Sequence, residues 1–474
     1  MKICVLQPDY STTDVDYKNY DPPRDLSHLI PEHEVVHVFL NKLTTYKQLK
    51  ELSHQHFDCF VNLCEGYLEW SVPSIEVIYF LELLNLPFTG PTSLLYDPTK
   101  ELMKYVAYTE EVKTAAYCII KNALHINKQI QHLQFPLFVK PVKAGDSLGI
   151  DENSLAQNIE ELENKIKQLL NEYDELLIEQ YIDGREFTVL VMANPINTKS
   201  PIALDPIEYI FPKGKSFKTY SLKTSELHPE CNVLVTDSTI KQHLKESSIN
   251  IFRSFNAVGY ARLDFRMNDK KEIFFLEINF TCSTFYKDGY EGSADYILKI
   301  DGLGQHGFLN HIITEGIERH KRSQRKYEMK GNAIAGFGIY ATQKIIEGEI
   351  VFKGEEKPQR IVTKQFVEKN WSVSEKKLFK QYAYPISSEV YILWDLNPSE
   401  WAPQNHSCNA NSKYIGLDVI ATKNIQIGDE ITLDYGQFLN EESESFTCTC
   451  GSANCRGAIS GKIFNSITNN LSSS

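Results

Sequence analysis

A chain of 474 residues exceeds what one hydrophobic core organises, so two or three domains are expected. Its 42% hydrophobic and 23% charged residues are those of folded globular protein and exclude a disordered chain. A formal net charge of -13 offers no basic footprint for counterion-release binding, which argues against direct nucleic-acid partners and leaves basic peptides as favoured encounters.

The chain opens with KICVL, a short apolar run broken by Gln7 and Pro8; this predicts a first strand and lacks the apolar length of a secretory leader. No stretch reaches the roughly 18 uncharged apolar residues of a membrane span, so no membrane partner is expected. The expected location is intracellular and cytoplasmic, or nuclear in a eukaryote. The runs HEVVHVFL and FDCFVNL, followed by the helix-like SIEVIYFLELLNLP, predict an α/β domain over residues 1–96. From Asp97 the strand-like FPLFVKPV, a charged amphipathic stretch at 153–173 and EIFFLEINF predict an α+β domain over 97–316. Residues 317–329, within the polar and basic GIERHKRSQRKYEMK, read as a linker without a strong apolar face. Beyond it the short β-type runs GIYAT, EIVFKG, YILWDL and ITLDYG, separated by Gly, Asn and Asp turns, predict a mostly β domain over 330–460. Residues 461–474 read as a flexible tail.

Six of the ten cysteines are scattered among apolar residues and read as buried thiols. The other four are Cys408, Cys448, Cys450 and Cys455. Four thiolates close a tetrahedral Zn2+ site with Zn–S distances of about 2.3 Å and no open position, so the expected metal is structural. Three further motifs share this region: Gly336-Phe337-Gly338, Asn405-His406-Ser407-Cys408 and ITLDYG ending at Gly436. Taken singly, a Gly-x-Gly is a turn, an Asn-His pair is a loop and Tyr435 is a strand aromatic. In this order they resemble the core of SET methyltransferases, closed by a post-SET motif of form CxC-x4-C, over about 130 residues. The resemblance implies that Gly336, Phe337, Gly338, Asn405 and His406 bind S-adenosylmethionine, and that Tyr435 is the catalytic tyrosine positioning a lysine amine of a protein or peptide. Methyl transfer needs a neutral amine in a desolvated, aligned channel, which a tyrosine-lined channel suits. Leu433 stands where the family often has an aromatic residue that influences how many methyls are added. Ala402-Pro403 replaces the usual Arg-Phe.

A different ordered set occupies the first three hundred residues. The strand carrying Lys140, followed by Gly145-Asp146-Ser147-Leu148-Gly149, places an ammonium and exposed backbone N–H groups where phosphates could meet both. Asp264 and Glu277 with Asn279 offer hard oxygen ligands for Mg2+, although alternation in LEINF also allows solvated hairpin positions. Together with LLIEQYIDGREFTV and GYARLDFR these resemble ATP-grasp ligases, most closely the D-alanine–D-alanine ligase group. The resemblance implies ATP contacts from Lys104, Lys140, Ser147, Glu179 and Glu186, with Lys223 in the nucleotide-covering loop. It also implies Mg2+ held by Asp264, Glu277 and Asn279, and Arg262 offsetting charge at phosphoryl transfer. The D-alanine-recognition segments differ, reading Leu63-Cys64-Glu65-Gly66 and Thr281-Cys282-Ser283-Thr284. A small carboxylate or amino acid other than D-alanine is therefore the expected ligase substrate.

The combined expectation is a bifunctional protein with an α/β and α+β ATP-grasp ligase region before a mostly β SET domain. The alternatives are an inactive ATP-grasp module that selects the methyltransferase substrate, or a ligase with a docking SET domain. The ligase resemblance allows a homodimer.

Overall fold

The structure is a computed structural model that describes residues 1–13, 21–66, 71–143, 149–218, 229–332, 336–354, 359–394 and 402–462. Two compact units, Met1–Ser323 and Gln324–Ser474, divide the chain.

In the first unit the opening run becomes the central strand Lys2–Pro8 of a parallel sheet, between Glu34–Leu40 and Cys59–Asn62. Alternation along that strand serves two cores. Cys4 and Leu6 pack with Leu49, Phe60, Val77 and Leu81 under helices Thr45–Ser53 and Ile75–Leu83, whereas Ile3 and Val5 join Leu190, Tyr260, Phe308 and Ile312. A strand buried on both faces has to be apolar throughout, as KICVL is.

Two antiparallel sheets follow. The four-stranded one runs Tyr117–Ile120, Leu176–Gln180, Leu137–Pro141 and Leu155–Ala156, with the amphipathic helix Ile159–Leu169 packed through Leu162, Ile166 and Leu169. In the six-stranded one, Asn232–Leu234, Ile207–Tyr209, Arg185–Met192, Tyr260–Met267 and Ile273–Asn279 run in that order, and Ile202–Ala203 pairs with Arg185–Met192. Helices Lys100–Thr109 and Ser238–Ser254 contribute to its core.

Much of the segment expected as a linker is ordered structure. Helix Gly304–Ser323 takes its first part and strand Tyr327–Asn332 its last. The helix lacks an apolar face there because its hold is polar. Arg319 donates to the carbonyls of Gly90 at 2.8 Å and Phe88 at 2.5 Å, and its guanidinium lies over the Phe88 ring.

The second unit contains the hairpin Tyr327–Asn332 with Gly336–Ala341 and a five-stranded sheet ordered Ile350–Lys353, Asp418–Ala421, Ser412–Ile415, Thr432–Leu433, Asn405–His406. A smaller sheet joins Gln359–Thr363, Val390–Trp394 and Tyr384–Pro385. ITLDYG is strand only at Thr432–Leu433. Asp434 then accepts the Gly436 N–H at 3.1 Å and caps the 3-10 turn Tyr435–Gln437, so Tyr435 sits on a turn rather than in a strand.

Gly316 tests the packing of the long helix. A Cβ there would lie 2.5 Å from the Phe88 carbonyl oxygen. Gly→Ala inside an ordinary helix stabilises by about 0.5–1 kcal/mol, but overpacking against backbone costs about 1–3 kcal/mol. Gly316→Ala should therefore lower the denaturant midpoint of the first unit, and a raised midpoint would contradict this packing.

Candidate functional sites

Cross-strand register builds the first site. Paired residues of antiparallel strands share a face, and every second residue along each strand returns to it. Arg262 pairs with Asn279, Asp264 pairs with both Glu277 and Thr188, and Arg266 pairs with Glu186. These polar side chains share one face, while Phe187, Val189, Leu263, Phe265 and Ile278 fill the core behind. The register shifts after Asp264, leaving Leu276 without a partner, and both Leu276 and Glu277 line a cleft between the two antiparallel sheets.

At one end of the cleft, Arg262 reaches the two Asp264 carboxylate oxygens at 3.2 and 3.1 Å, and Thr188 Oγ1 donates to Asp264 at 2.6 Å. The Asn279 amide nitrogen lies 3.4 Å from oxygens of both Asp264 and Glu277. Rotating that amide by half a turn presents its oxygen instead, so the three groups fit a hard divalent cation.

The four-stranded sheet supplies the opposite wall through Phe138, Lys140 and Glu179. Lys140 Nζ lies 2.6 Å from one Glu179 oxygen and Lys104 Nζ 2.7 Å from the other, and all three residues are buried. Burial alone would raise the Glu179 carboxyl, but the two ammonium groups outweigh it and hold the pKa down at about 2. One turn before Lys104, Lys100 Nζ stands 4.0 Å from Glu277. At the other end, Glu186 pairs with Lys218 at 3.3 Å and Arg266 at 3.8 Å. Phe217 packs edge-on to Phe138 and Tyr181 there. Ser216 O accepts from Arg266 at 2.6 Å and from the Tyr181 hydroxyl at 2.7 Å.

In the second unit, parallel pairing sets Asn405 beside Thr432 and His406 beside Leu433. Asn405 Nδ2 donates to Phe337 O at 3.1 Å and to Glu430 Oε1 at 2.6 Å. Gly338 leaves room for this approach, since a Cβ would come within 2.5 Å of Glu430 Oε1 and displace that carboxylate. Gly336 has φ +86° and Phe337 is exposed. His406 Nδ1 accepts the Tyr435 N–H at 3.1 Å. The Tyr435 hydroxyl donates to the Gln404 carbonyl and, pushed up to about 12 by burial, keeps its proton. Around it stand His406, Phe438 and Phe446, with Tyr384, Trp394 and Tyr414 extending the aromatic cluster through Phe438.

The ligand sulfurs of Cys408, Cys448, Cys450 and Cys455 all lie within 4.8 Å of one another, and the Cys408 and Cys448 sulfurs are 3.8 Å apart. A tetrahedron with Zn–S bonds of about 2.3 Å has S–S edges of about 3.8 Å. The donor set and its spacing fit zinc.

Residues 104–285 match the family described as D-ala D-ala ligase C-terminus, and residues 336–436 match the SET domain. The chain joins a D-alanine–D-alanine ligase-type ATP-grasp region to a SET domain. It is 32% identical over 239 residues to D-alanine–D-alanine ligase B of Clostridium tetani, covering 47% of this chain and 64% of that one. Against D-alanine–D-alanine ligase of Aquifex aeolicus the identity is 30% over 206 residues, covering 42% and 64%. The chain thus spans a little under two thirds of the length of these relatives. The crystal structure of D-alanine–D-alanine ligase from Bacillus anthracis aligns with a TM-score of 0.51 at 18% identity, covering 68% of this chain and 100% of that chain. The same enzyme complexed with ATP gives 0.50, covering 68% and 99%. These structural likenesses show the fold.

The ATP-grasp cleft collects Lys140, Glu179, Glu186, Asp264 and Glu277 in its lining, with Lys104, Arg262 and Asn279 bonded directly behind them. The SET core collects Gly338, Asn405, His406 and Tyr435. Ser147 and Lys223 lie outside the described residues. Sequence reasoning missed Lys100, Thr188, Lys218, Arg266 and Glu430. Strand alternation signals Thr188 and Arg266, since each stands two residues from a recognised one, and Lys100 shares a helix face with Lys104. Lys218 and Glu430 carry no such local signal. The two segments that depart from the D-alanine ligases meet in space, where Ser283 Oγ donates to Glu65 at 2.7 Å.

Glu179→Gln leaves two buried ammonium groups sharing a neutral amide and should cost about 3–5 kcal/mol of unfolding free energy. Because the folded carboxyl titrates at about 2 rather than 4.5, its stabilisation is complete above the ordinary value and is lost as pH falls through the folded one. The gap between wild type and variant should therefore narrow as pH drops from 4.5 towards 2. Denaturant titrations of both proteins across that interval check it, and a gap independent of pH would contradict the ion triad.

Proposed function

We propose that the protein is bifunctional, combining an ATP-dependent carboxylate–amine ligase-like activity with an S-adenosylmethionine-dependent protein-lysine N-methyltransferase activity. The observation that carries the first is the polarity of the cleft. Aromatic rings and Glu186 stand at one end, buried lysines line the wall, and Asp264, Glu277 and Asn279 converge at the other. This order suits a nucleotide's base, ribose, phosphates and metal. ATP with Mg2+ would supply the phosphoryl group that activates a carboxylate for attack by an amine. Arg262 offsets negative charge at that end, while Lys104 and Lys140 hold positive charge beside the phosphate path. Glu65 and Ser283 stand where D-alanine enzymes recognise their substrate, which supports a different small carboxylate or amino acid.

For the second activity, Gly336, Phe337, Gly338, Asn405 and His406 would bind S-adenosylmethionine, which supplies the methyl group. The closed approach of Asn405 to Gly338 supports that role. Tyr435, buried and protonated, positions and desolvates the lysine amine. Zinc held by Cys408, Cys448, Cys450 and Cys455 would be structural.

The test is to score ADP release with ATP, Mg2+ and amino-acid pools, and methyl incorporation with labelled donor and lysine-containing peptides. Glu277→Gln should reduce ADP release at least a hundredfold and leave methylation intact, whereas Tyr435→Phe should do the reverse. Methylation without ADP release from any pool would replace the ligase reading with that of a substrate-selecting module.

A further inference from the structure

Arg456 directly follows the last cysteine of the cluster and joins it to the turn that carries Tyr435. Its backbone N–H points at Cys408 Sγ at 3.3 Å and its Nε at the same sulfur at 3.5 Å. Nη2 of the same guanidinium donates to Asp434 Oδ1. That oxygen also accepts the Gly436 N–H at 3.1 Å, closing the turn. Gly436 makes room for the guanidinium, since a Cβ there would lie 2.9 Å from Arg456 Nη1. On the other side of Cys408, His406 Nε2 is 3.4 Å from the sulfur while its Nδ1 accepts the Tyr435 N–H. Two bonded routes therefore connect one sulfur with the backbone N–H groups of Tyr435 and Gly436.

We propose that Arg456 is a positioning residue that couples zinc occupancy to the Tyr435 turn. Four thiolates around Zn2+ carry a net charge of about -2, and N–H donors at a ligand sulfur stabilise that charge and fix the ligand. The planar guanidinium serves both contacts because its Nε and Nη2 point to separate acceptors; a lysine ammonium has no such fork. Coupling of this kind is reciprocal. Whatever orders the turn must hold zinc more tightly, and whatever loosens zinc must loosen the turn. The inference rests on the methyltransferase reading for what Tyr435 does chemically and for the binding of S-adenosylmethionine, but not for the link between zinc and the turn.

The experiment follows zinc release to a chromophoric chelator from the full chain, each protein first shown to hold one zinc. Arg456→Ala should release zinc about tenfold faster, the scale expected when a group supporting a metal ligand is removed. Arg456→Lys should resemble it. Asp434→Asn, outside the cysteine cluster, should also speed release, and the double variant should be no faster than Arg456→Ala alone because both break one bridge. In zinc-loaded Arg456→Ala, calorimetry should find S-adenosylmethionine bound several-fold more weakly than in wild type. A wild-type release rate in Asp434→Asn, or effects of the two substitutions that multiply, would overturn the coupling. Release rates need no turnover, so a chain that shows the coupling without transferring methyl groups keeps this inference and loses the methyltransferase reading.

Discussion

Glu179 is only 4% exposed, and a carboxylate so far from water persists in its ionised form only if cations are brought to it. Lys104 comes from a helix and Lys140 from the neighbouring strand, where Phe138 pairs with Glu179 in register. One ion triad thus ties a helix and two strands together along the wall of the cleft. Two ammonium groups against one carboxylate leave a net positive charge in a site of low dielectric, where it attracts an anionic ligand far more strongly than at the surface. The same interaction that makes the wall stable gives it its positive charge.

Across the cleft the six-stranded sheet solves a related problem with carboxylates. Asp264 and Glu277 face each other in register, which would be repulsive alone. Arg262, Thr188, Asn279 and Lys100 surround them with donors or positive charge. The shifted register at Leu276 lets an apolar residue and Glu277 both line the cleft, setting apolar surface beside a carboxylate end.

The SET unit relies on close approach instead. Asn405 bridges a backbone carbonyl and Glu430 beside a glycine where a Cβ would crowd both side chains. His406 stands between the sulfur cluster and the Tyr435 backbone. Short contacts of this kind hold side chains and backbone in one arrangement, and they depend on small residues at fixed places.

Many of the residues that the structure gathers in the two candidate sites were legible in the sequence, because strand alternation, the CxC-x4-C spacing and the run containing Asn405 and His406 are local properties of the chain. So was the alternation of sheet and helix before residue 300. Partnership was not legible. That both Lys104 and Lys140 converge on Glu179, that Lys218 meets Glu186, or that Glu430 holds Asn405 depends on strands and helices far apart in sequence. Helix Gly304–Ser323 was hidden for the same reason, since Arg319 anchors it to carbonyls more than two hundred residues earlier. The strand expected to run through Tyr435 ends at Leu433, where one Asp434 oxygen captures the Gly436 N–H, a competition between side chain and ladder that the apolar pattern does not encode. The sequence by itself determined which groups could bind phosphate, metal and sulfur-bound zinc. Tertiary structure decided which of them are paired, because burial fixes a charge's partner only once the chain has closed around it.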